Sequence, residues 1–279
     1  MKIKKKYKLI AALLILLVLM LSAFDVRLKI VKYKIESDKI DSPVRIALVT
    51  DLHSCKYGEN QKTLIDAVNK EKPDIILLGG DIFDDIIPDT NTKIFLKAVA
   101  PKYPCYYVTG NHEYWSRQSD EMIAWLRANN IYVLDGESVD VEIGNQKISL
   151  SGINDPDKER FTGKSGDFYS ELDKIQREKD DNLFRILLAH RPSYIENYLK
   201  YDFDLVLCGH AHGGQWRIPF ILNGVFAPDE GWLPKYAGGK YDFPNGQMIV
   251  SRGLARESTR VPRIFNRPEL VIVDVVGVK

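Results

Sequence analysis

Cysteine is scarce in this chain, and so is histidine. Three cysteines, Cys55, Cys105 and Cys208, are scattered without a CxxC pair. That excludes a disulfide framework. Cys105 and Cys208 lie in or beside apolar strand-like runs and are expected to be buried thiols. Neither sign of charge is in excess, since 39 Lys and Arg face 38 Asp and Glu for a net charge of +1. This balance leaves no electrostatic footprint for nucleic acid, and no nucleic-acid binding is expected. Internal repeats and low-complexity tracts are missing, and a hydrophobic content of 45% is too high for a disordered chain. One compact α/β domain is the simplest partition for 279 residues.

Only one apolar run is long. Lys2, Lys4, Lys5, Lys6 and Lys8 precede Leu9 to Phe24, sixteen residues without a charge. As a helix this run reaches about 24 Å against a hydrocarbon core of about 30 Å, a gap that Lys8 and Arg27 can close by snorkelling. It is read as a retained single-pass anchor, the basic end (residues 1–8) staying cytoplasmic and the remaining chain lying outside. The alternative is an exported protein whose signal peptide is cleaved; no clean small-x-small site is present, Ser22-Ala23 being nearest. Residues 9–24 are then the membrane segment, 25–44 a connector or first edge strand, and 45–279 the main domain.

In that domain short runs rich in Val, Ile and Leu recur at Arg45–Thr50, Asp74–Leu78, Cys105–Thr109, Lys147–Ile153, Phe184–Ala189, Leu205–Cys208, Met248–Ser251 and Leu270–Val275. Continuous rather than alternating apolar runs predict strands covered on both faces. Helix-like stretches lie between them at Asn60–Lys70, Thr92–Ala100, Ser119–Asn129, Gly166–Lys179 and Ser193–Tyr201. Such alternation predicts α/β layers.

Polar residues follow the strands in a pattern. Asp51-Leu52-His53, Gly79-Gly80-Asp81, Gly110-Asn111-His112-Glu113, His190, and Gly209-His210-Ala211-His212-Gly213-Gly214 each stand where an apolar run ends. The carboxyl ends of strands in α/β sheets are where ligands bind. All five histidines of the chain, His53, His112, His190, His210 and His212, fall at these points. One histidine near an apolar run is usually a satisfied core residue; five out of five, with Asp51, Asp81 and Asn111, predict a metal site. Imidazole, carboxylate and one amide oxygen suit Mn, Fe, Zn or Co, and without cysteine the set is no structural zinc site. It has too many members for one four-coordinate ion and suits two divalent ions about 3.5–4 Å apart, which lower the pKa of a shared water and neutralise phosphoryl charge.

D-x-H, G-G-D, G-N-H-E, a lone His after a strand, and G-H-A-H-G-G-Q, in this order, resemble the calcineurin-like metallophosphoesterase superfamily. The resemblance runs from about Arg45 to the C-terminus. Within the superfamily, residues 209–215 and the tail Ser251-Arg252-Gly253-Leu254 through Arg267-Pro268-Glu269-Leu270 are similar to the membrane-associated bacterial phosphodiesterases of the YkuE/YaeI type. The resemblance implies a four-layer α-β-β-α sandwich of two mixed sheets flanked by helices. It also implies that Asp51, His53 and His212 hold one ion, that Asn111, His190 and His210 hold the other, and that Asp81 bridges them. Mn, Fe or Zn would fill both places. His112 is then left as general acid or charge stabiliser, with Asp84 in the family's position to orient it; the plain alternative for Asp84 is a turn or N-cap aspartate.

The resemblance also contains a departure. Phosphoprotein phosphatases of the superfamily read G-D-x-x-D-R-G, and here Asp85 and Ile86 replace the Arg and Gly. An acid in place of the phosphate-gripping Arg disfavours a dianionic monoester, so a phosphodiester or pyrophosphate bond is the expected target. The anchor makes a lipid head group, nucleotide-lipid or envelope polymer the expected substrate class, because a tether concentrates the enzyme beside it. The competing readings are an exported phosphomonoesterase for soluble substrates and a metal-stabilised binding protein without catalysis. Asp155 and Asp157 are expected to be surface-turn aspartates, and Phe226, Trp232, Tyr236 and Tyr241 to form an aromatic loop either over the site or beneath a sheet edge.

Overall fold

The computed structural model describes residues 2–163, 168–177, 180–227, 230–256 and 261–278. The strands, in chain order, are β1 Lys29–Ser37, β2 Val44–Val49, β3 Ile75–Gly79, β4 Cys105–Val108, β5 Ile131–Val133, β6 Glu137–Ile143, β7 Gln146–Gly152, β8 Phe184–Leu188, β9 Leu205–Cys208, β10 Phe226–Ala227, β11 Gly231–Trp232, β12 Gly239–Phe243, β13 Gly246–Val250 and β14 Glu269–Gly277. The α-helices are α1 Lys2–Ala23, α2 Lys62–Glu71, α3 Thr90–Val99, α4 Asn111–Trp115, α5 Ser119–Ala128, α6 Asp157–Thr162, α7 Phe168–Arg177 and α8 Ile195–Tyr198. The ends of the helix expected over 166–179 lie outside the described residues.

Two six-stranded mixed sheets form the centre, ordered β1-β14-β2-β3-β4-β5 and β12-β13-β9-β8-β7-β6. In the first, β2, β3, β4 and β5 run parallel, while β14 runs antiparallel to β2. In the second, β13, β9, β8 and β7 run parallel, and hairpins add β12 and β6 at the two edges. The sheets face each other through an apolar layer in which Ile46, Leu48 and Leu77 meet Leu150, Ile186 and Leu207. Helices cover the outer faces. Leu64, Val68, Phe95, Leu96 and Leu126 of α2, α3 and α5 pack on the first sheet, and Leu172, Ile175 and Ile195 of α7 and α8 pack on the second. The result is the four-layer sandwich, with every residue of β3, β8 and β9 buried as continuous apolar runs require.

Some elements were visible in the sequence only in part. β1 is an edge strand, parallel to β14, and its Lys29, Lys32 and Lys34 are the charged residues that guard an exposed edge. α7 buries Phe168, Leu172 and Ile175, one helical face at i, i+4 and i+7. α8 is a single turn with a short 3-10 segment on either side, not one helix over 193–201. All three cysteines are buried, and none of them forms a disulfide.

α1 stands apart. Its stretch Lys5–Ala23 is long and apolar enough to cross a membrane and is almost uncovered by the rest of the chain.

Candidate metal centre

The loops that leave β2, β3, β4, β8 and β9 meet at one end of the two sheets. They are latched to one another through backbone bonds: Asp51 N–H donates to the Gly80 carbonyl at 3.0 Å, His53 N–H to the Asp81 carbonyl at 2.9 Å, and Gly209 N–H to the His190 carbonyl at 3.0 Å. Side chains continue the pattern. Asp51 Oδ1 accepts from His210 N–H at 2.9 Å, and Asp81 Oδ1 from His112 N–H at 2.9 Å. Glycine is needed where these loops touch. A Cβ on Gly80, whose φ is +85°, would fall 2.5 Å from His190 Nδ1, and one on Gly253, φ +70°, would fall 2.6 Å from the Asp51 side chain.

Asp51, His53, Asp81 and His212 present ligand atoms that all lie within 4.8 Å of one another, as do Asp81, His190 and His210. Asp81 belongs to both groups. Its Oδ2 is 3.1 Å from His190 Nε2 and 3.6 Å from His53 Nε2, and His212 Nε2 is 3.6 Å from Asp51 Oδ1. His210 Nδ1 and His190 Nε2 approach to 3.1 Å. Asn111, also buried, is joined to Asp81 through the neighbouring His112 amide. Asp51 Oδ2, His53 Nε2, Asp81 Oδ2, Asn111 Oδ1 and His210 Nε2 are buried without a hydrogen-bond partner among the described residues. Buried polar atoms are costly when unpaired, so this donor set fits metal ions.

The surrounding residues fix the ring orientations. His190 Nδ1 is bonded to the Gly79 carbonyl at 2.9 Å and His53 Nδ1 to Asp84 Oδ2 at 2.8 Å, which leaves each Nε2 facing inward. Burial alone would lower the basicity of His190, but the adjacent Asp81 carboxylate outweighs it and raises the imidazole to about 10. His53 is raised in the same way, burial being overcome first by the Asp84 hydrogen bond and then by Asp81. Burial, reinforced by neighbouring positive charge, pushes His210 and His212 well down. Burial raises Asp51, whereas Asp81, despite its own burial, is held well below the carboxylate range by His190 and His112. Where protons satisfy these carboxylates, cations can do the same.

Asp84 lies within ion-pair reach of His112 Nδ1 at 3.8 Å and holds His53 Nδ1 more closely, at 2.8 Å. The acid that meets His112 is Asp85, with Oδ1 2.6 Å from Nδ1. Asp84 also closes a tight turn, its Oδ1 accepting the Ile86 and Ile87 amides. The expectation that Asp155 is a surface-turn residue needs correction. Asp155 is buried and pairs with Arg191 at 2.7 and 3.1 Å, while Asp157 takes the Trp115 indole N–H at 2.6 Å.

Glu113 carries a role that sequence reasoning did not assign. Fully buried, it accepts the backbone amides of Gly110, Asp81, Ile82 and Phe83 at 2.8 to 3.1 Å, so one carboxylate clamps the loops after β3 and β4 together. A buried carboxylate needs several donors, and these amides come from two loops that only the fold brings together. In the aromatic loop, Tyr236 is buried against Tyr241 and Phe243 beside the second sheet, whereas Trp232 is exposed.

The model of the calcineurin-like phosphoesterase family matches residues 44–214. A metallophosphoesterase of Helicobacter pylori is 32% identical over 81% of this chain and 58% of its own length, so the chain spans little more than half of that relative. One from Aquifex aeolicus is 30% identical, over 90% of this chain and 92% of that protein. The phosphodiesterase YaeI of Escherichia coli is 29% identical over 84% and 83%. Among solved structures, the NAD nucleotidase of Haemophilus influenzae shares the fold with a TM-score of 0.50 at 16% identity, over 77% of this chain and 46% of that one.

Proposed function

The chain belongs to the calcineurin-like phosphoesterase family, and from that premise we propose that it is a metal-dependent phosphoester hydrolase that cleaves a phosphodiester or pyrophosphate bond with His112 as the proton donor. Asp51, His53 and His212 would hold one divalent ion, Asn111, His190 and His210 the other, with Asp81 between them. Bound there, Mn, Fe or Zn ions supply a water that is acidic near neutral pH and positive charge for the phosphoryl oxygens.

One observation carries the role of His112. Its side chain is 23% exposed, while the other four histidines are buried. It nevertheless touches the cluster, its ring centroid 4.4 Å from that of His53 and 4.6 Å from that of Trp115. Asp85 engages Nδ1, so Nε2 is the nitrogen left for substrate. In the protonated ring, Nδ1–H is held by Asp85 and Nε2–H donates to the oxygen of the departing group. That proton leaves with the alcohol or phosphate product, and the ring regains one from solvent. Trp115 confines the imidazole from the other side.

Asp85 supports the choice of ester. Its carboxylate stands beside the only histidine open to solvent, where a second negative charge on phosphate would be repelled, and a singly charged diester suffers less. α1 supports a membrane setting, with the remaining chain on the outer side and a lipid head group or nucleotide-lipid as substrate. Mass spectrometry of the mature N-terminus separates an anchor from a cleaved signal.

Turnover of aryl phosphate mono- and diesters by the metal-loaded chain tests the substrate reading, with diester preference expected; a strong monoester preference would contradict it. His112→Ala separates catalysis from binding, because a catalyst loses turnover while keeping its metal and a binding protein is unaffected.

A further inference from the structure

Where α1 joins the globular part, a second apolar surface stands uncovered. Phe220, Ile221, Trp232 and Leu233 are all largely exposed, Trp232 at 72%. Scattered exposed hydrophobics need no explanation, but four large ones on one loop do. Backbone bonds tie together the segments that carry them. Ile218 bridges Leu222 and closes a tight turn that carries Phe220 and Ile221. Val225 N–H donates to the Trp216 carbonyl and Leu233 N–H to the Val225 carbonyl, each at 2.8 Å, and the Trp232 ring packs on Phe226 with centroids 5.4 Å apart.

This surface adjoins the end of α1. The Phe265 N–H donates to the Ala23 carbonyl at 2.7 Å, and the preceding Ile264 is bridged to Trp216. Phe220 is four positions along the chain from Trp216, a reach of about 14 Å at most. The surface also adjoins the metal centre, because Asn266 binds the carbonyls of His212 and Gln215 at 2.7 and 3.1 Å. An apolar cleft of about 210 Å³ lined by Gln215, Trp216, Phe226, Trp232 and Val261 carries the apolar surface from the rim toward Gln215, three residues after His212.

The stretch Lys5–Ala23 is 19 residues long, about 28 Å as a helix, and its lysines can snorkel so that its apolar part spans a hydrocarbon core of about 30 Å. A bilayer holding α1 therefore has its interface beside Ala23. Trp favours that depth. We propose that Phe220, Ile221, Trp232 and Leu233 form a second membrane contact, seated in the interface of the bilayer that α1 crosses. The metal centre is thereby held at the level of the lipid head groups. This rests on the reading of α1 as a retained anchor and narrows the proposed substrates to phosphoesters presented at the bilayer surface.

The test uses the full chain in vesicles of phosphatidylcholine and phosphatidylglycerol with plain or brominated acyl chains, which quench nearby indoles. The chain has four tryptophans. Brominated lipid is expected to quench part of the wild-type emission, and Trp232→Phe to remove at least half of the quenched part. In the double variant Phe220→Ser, Ile221→Ser the quenching of Trp232 is expected to fall at least twofold while the chain stays with the vesicles. A quenched fraction unchanged by Trp232→Phe overturns the proposal. Turnover of a soluble aryl diester in the same vesicles reports separately on catalysis. Inactive protein with quenched Trp232 contradicts the catalytic reading alone, and active protein with unquenched Trp232 contradicts the membrane contact alone.

Discussion

Asp51, His53, Asp81, His210 and His212 all have positive φ, between 47° and 66°. Outside glycine that conformation costs roughly 1 kcal/mol or more per residue, and five instances in one cluster mean that the surrounding loops impose it. Glu113 holds one of them, Asp81, by its amide, together with the amides of Ile82, Phe83 and Gly110. Replacing it by Ala leaves four buried amides without an acceptor, and unfolding by urea should show a loss of about 3 kcal/mol or more, together with weaker metal retention. An unchanged midpoint would mean that the clamp is dispensable. For His112, Ala substitution should lower turnover by roughly 10²–10⁴-fold without loss of metal, and Asp85→Asn should follow in the same direction with a smaller effect. Asp84→Asn should instead weaken metal binding through His53, which equilibrium dialysis can measure. The five histidines were legible as members of one site because each follows an apolar run. The partner of His112 was not, since Asp84 and Asp85 are adjacent in sequence and only the turn closed on the Ile86 and Ile87 amides decides which of them points where.

At the level of elements, the strands were legible and the connections less so. β2, β3, β8 and β9 are buried on both faces, and a run of apolar residues declares that directly. β5, a three-residue strand, and α4, a five-residue helix, are too short for any periodicity to reveal them. Asp155 looked like a turn residue because the sequence shows its loop but not Arg191, which β8 brings to it from 36 positions away. That pair joins the ends of β7 and β8 beside His190. Asp155→Ala should cost about 3–5 kcal/mol, as removal of one partner of a buried ion pair does, and a calorimetric loss below 1 kcal/mol would show the pair to be incidental. Gly80→Ala places a methyl group against His190 at a positive φ. It should destabilise the fold by roughly 2 kcal/mol or more and reduce metal occupancy.

For the whole molecule, the two sheets bring five loops to one end, and the charge of that end governs its response to pH and metal. In metal-free protein, His190 is raised from 6.5 to about 10. A histidine raised on folding adds stability that is full below its unfolded value and is lost as pH climbs through its folded value. The metal-free chain should therefore melt at progressively lower temperature between about pH 6.5 and 10. Divalent ions should flatten that trend and, at a hundredfold excess over Kd, add about 2.7 kcal/mol. A metal-free melting temperature that does not fall over this range would place the protons elsewhere. The sequence could not show which sheet faces buried each run, but it did mark the strand ends whose histidines and carboxylates the fold brings together.

Metal analysis combined with aryl-diester turnover, on wild type and His112→Ala side by side, tests whether the chain is a metal-dependent phosphodiesterase with His112 as its acid. About two divalent ions per chain are expected in both proteins, with turnover at least a hundredfold lower in the variant. Less than about one ion per chain, with no turnover under any added divalent metal, would contradict that reading.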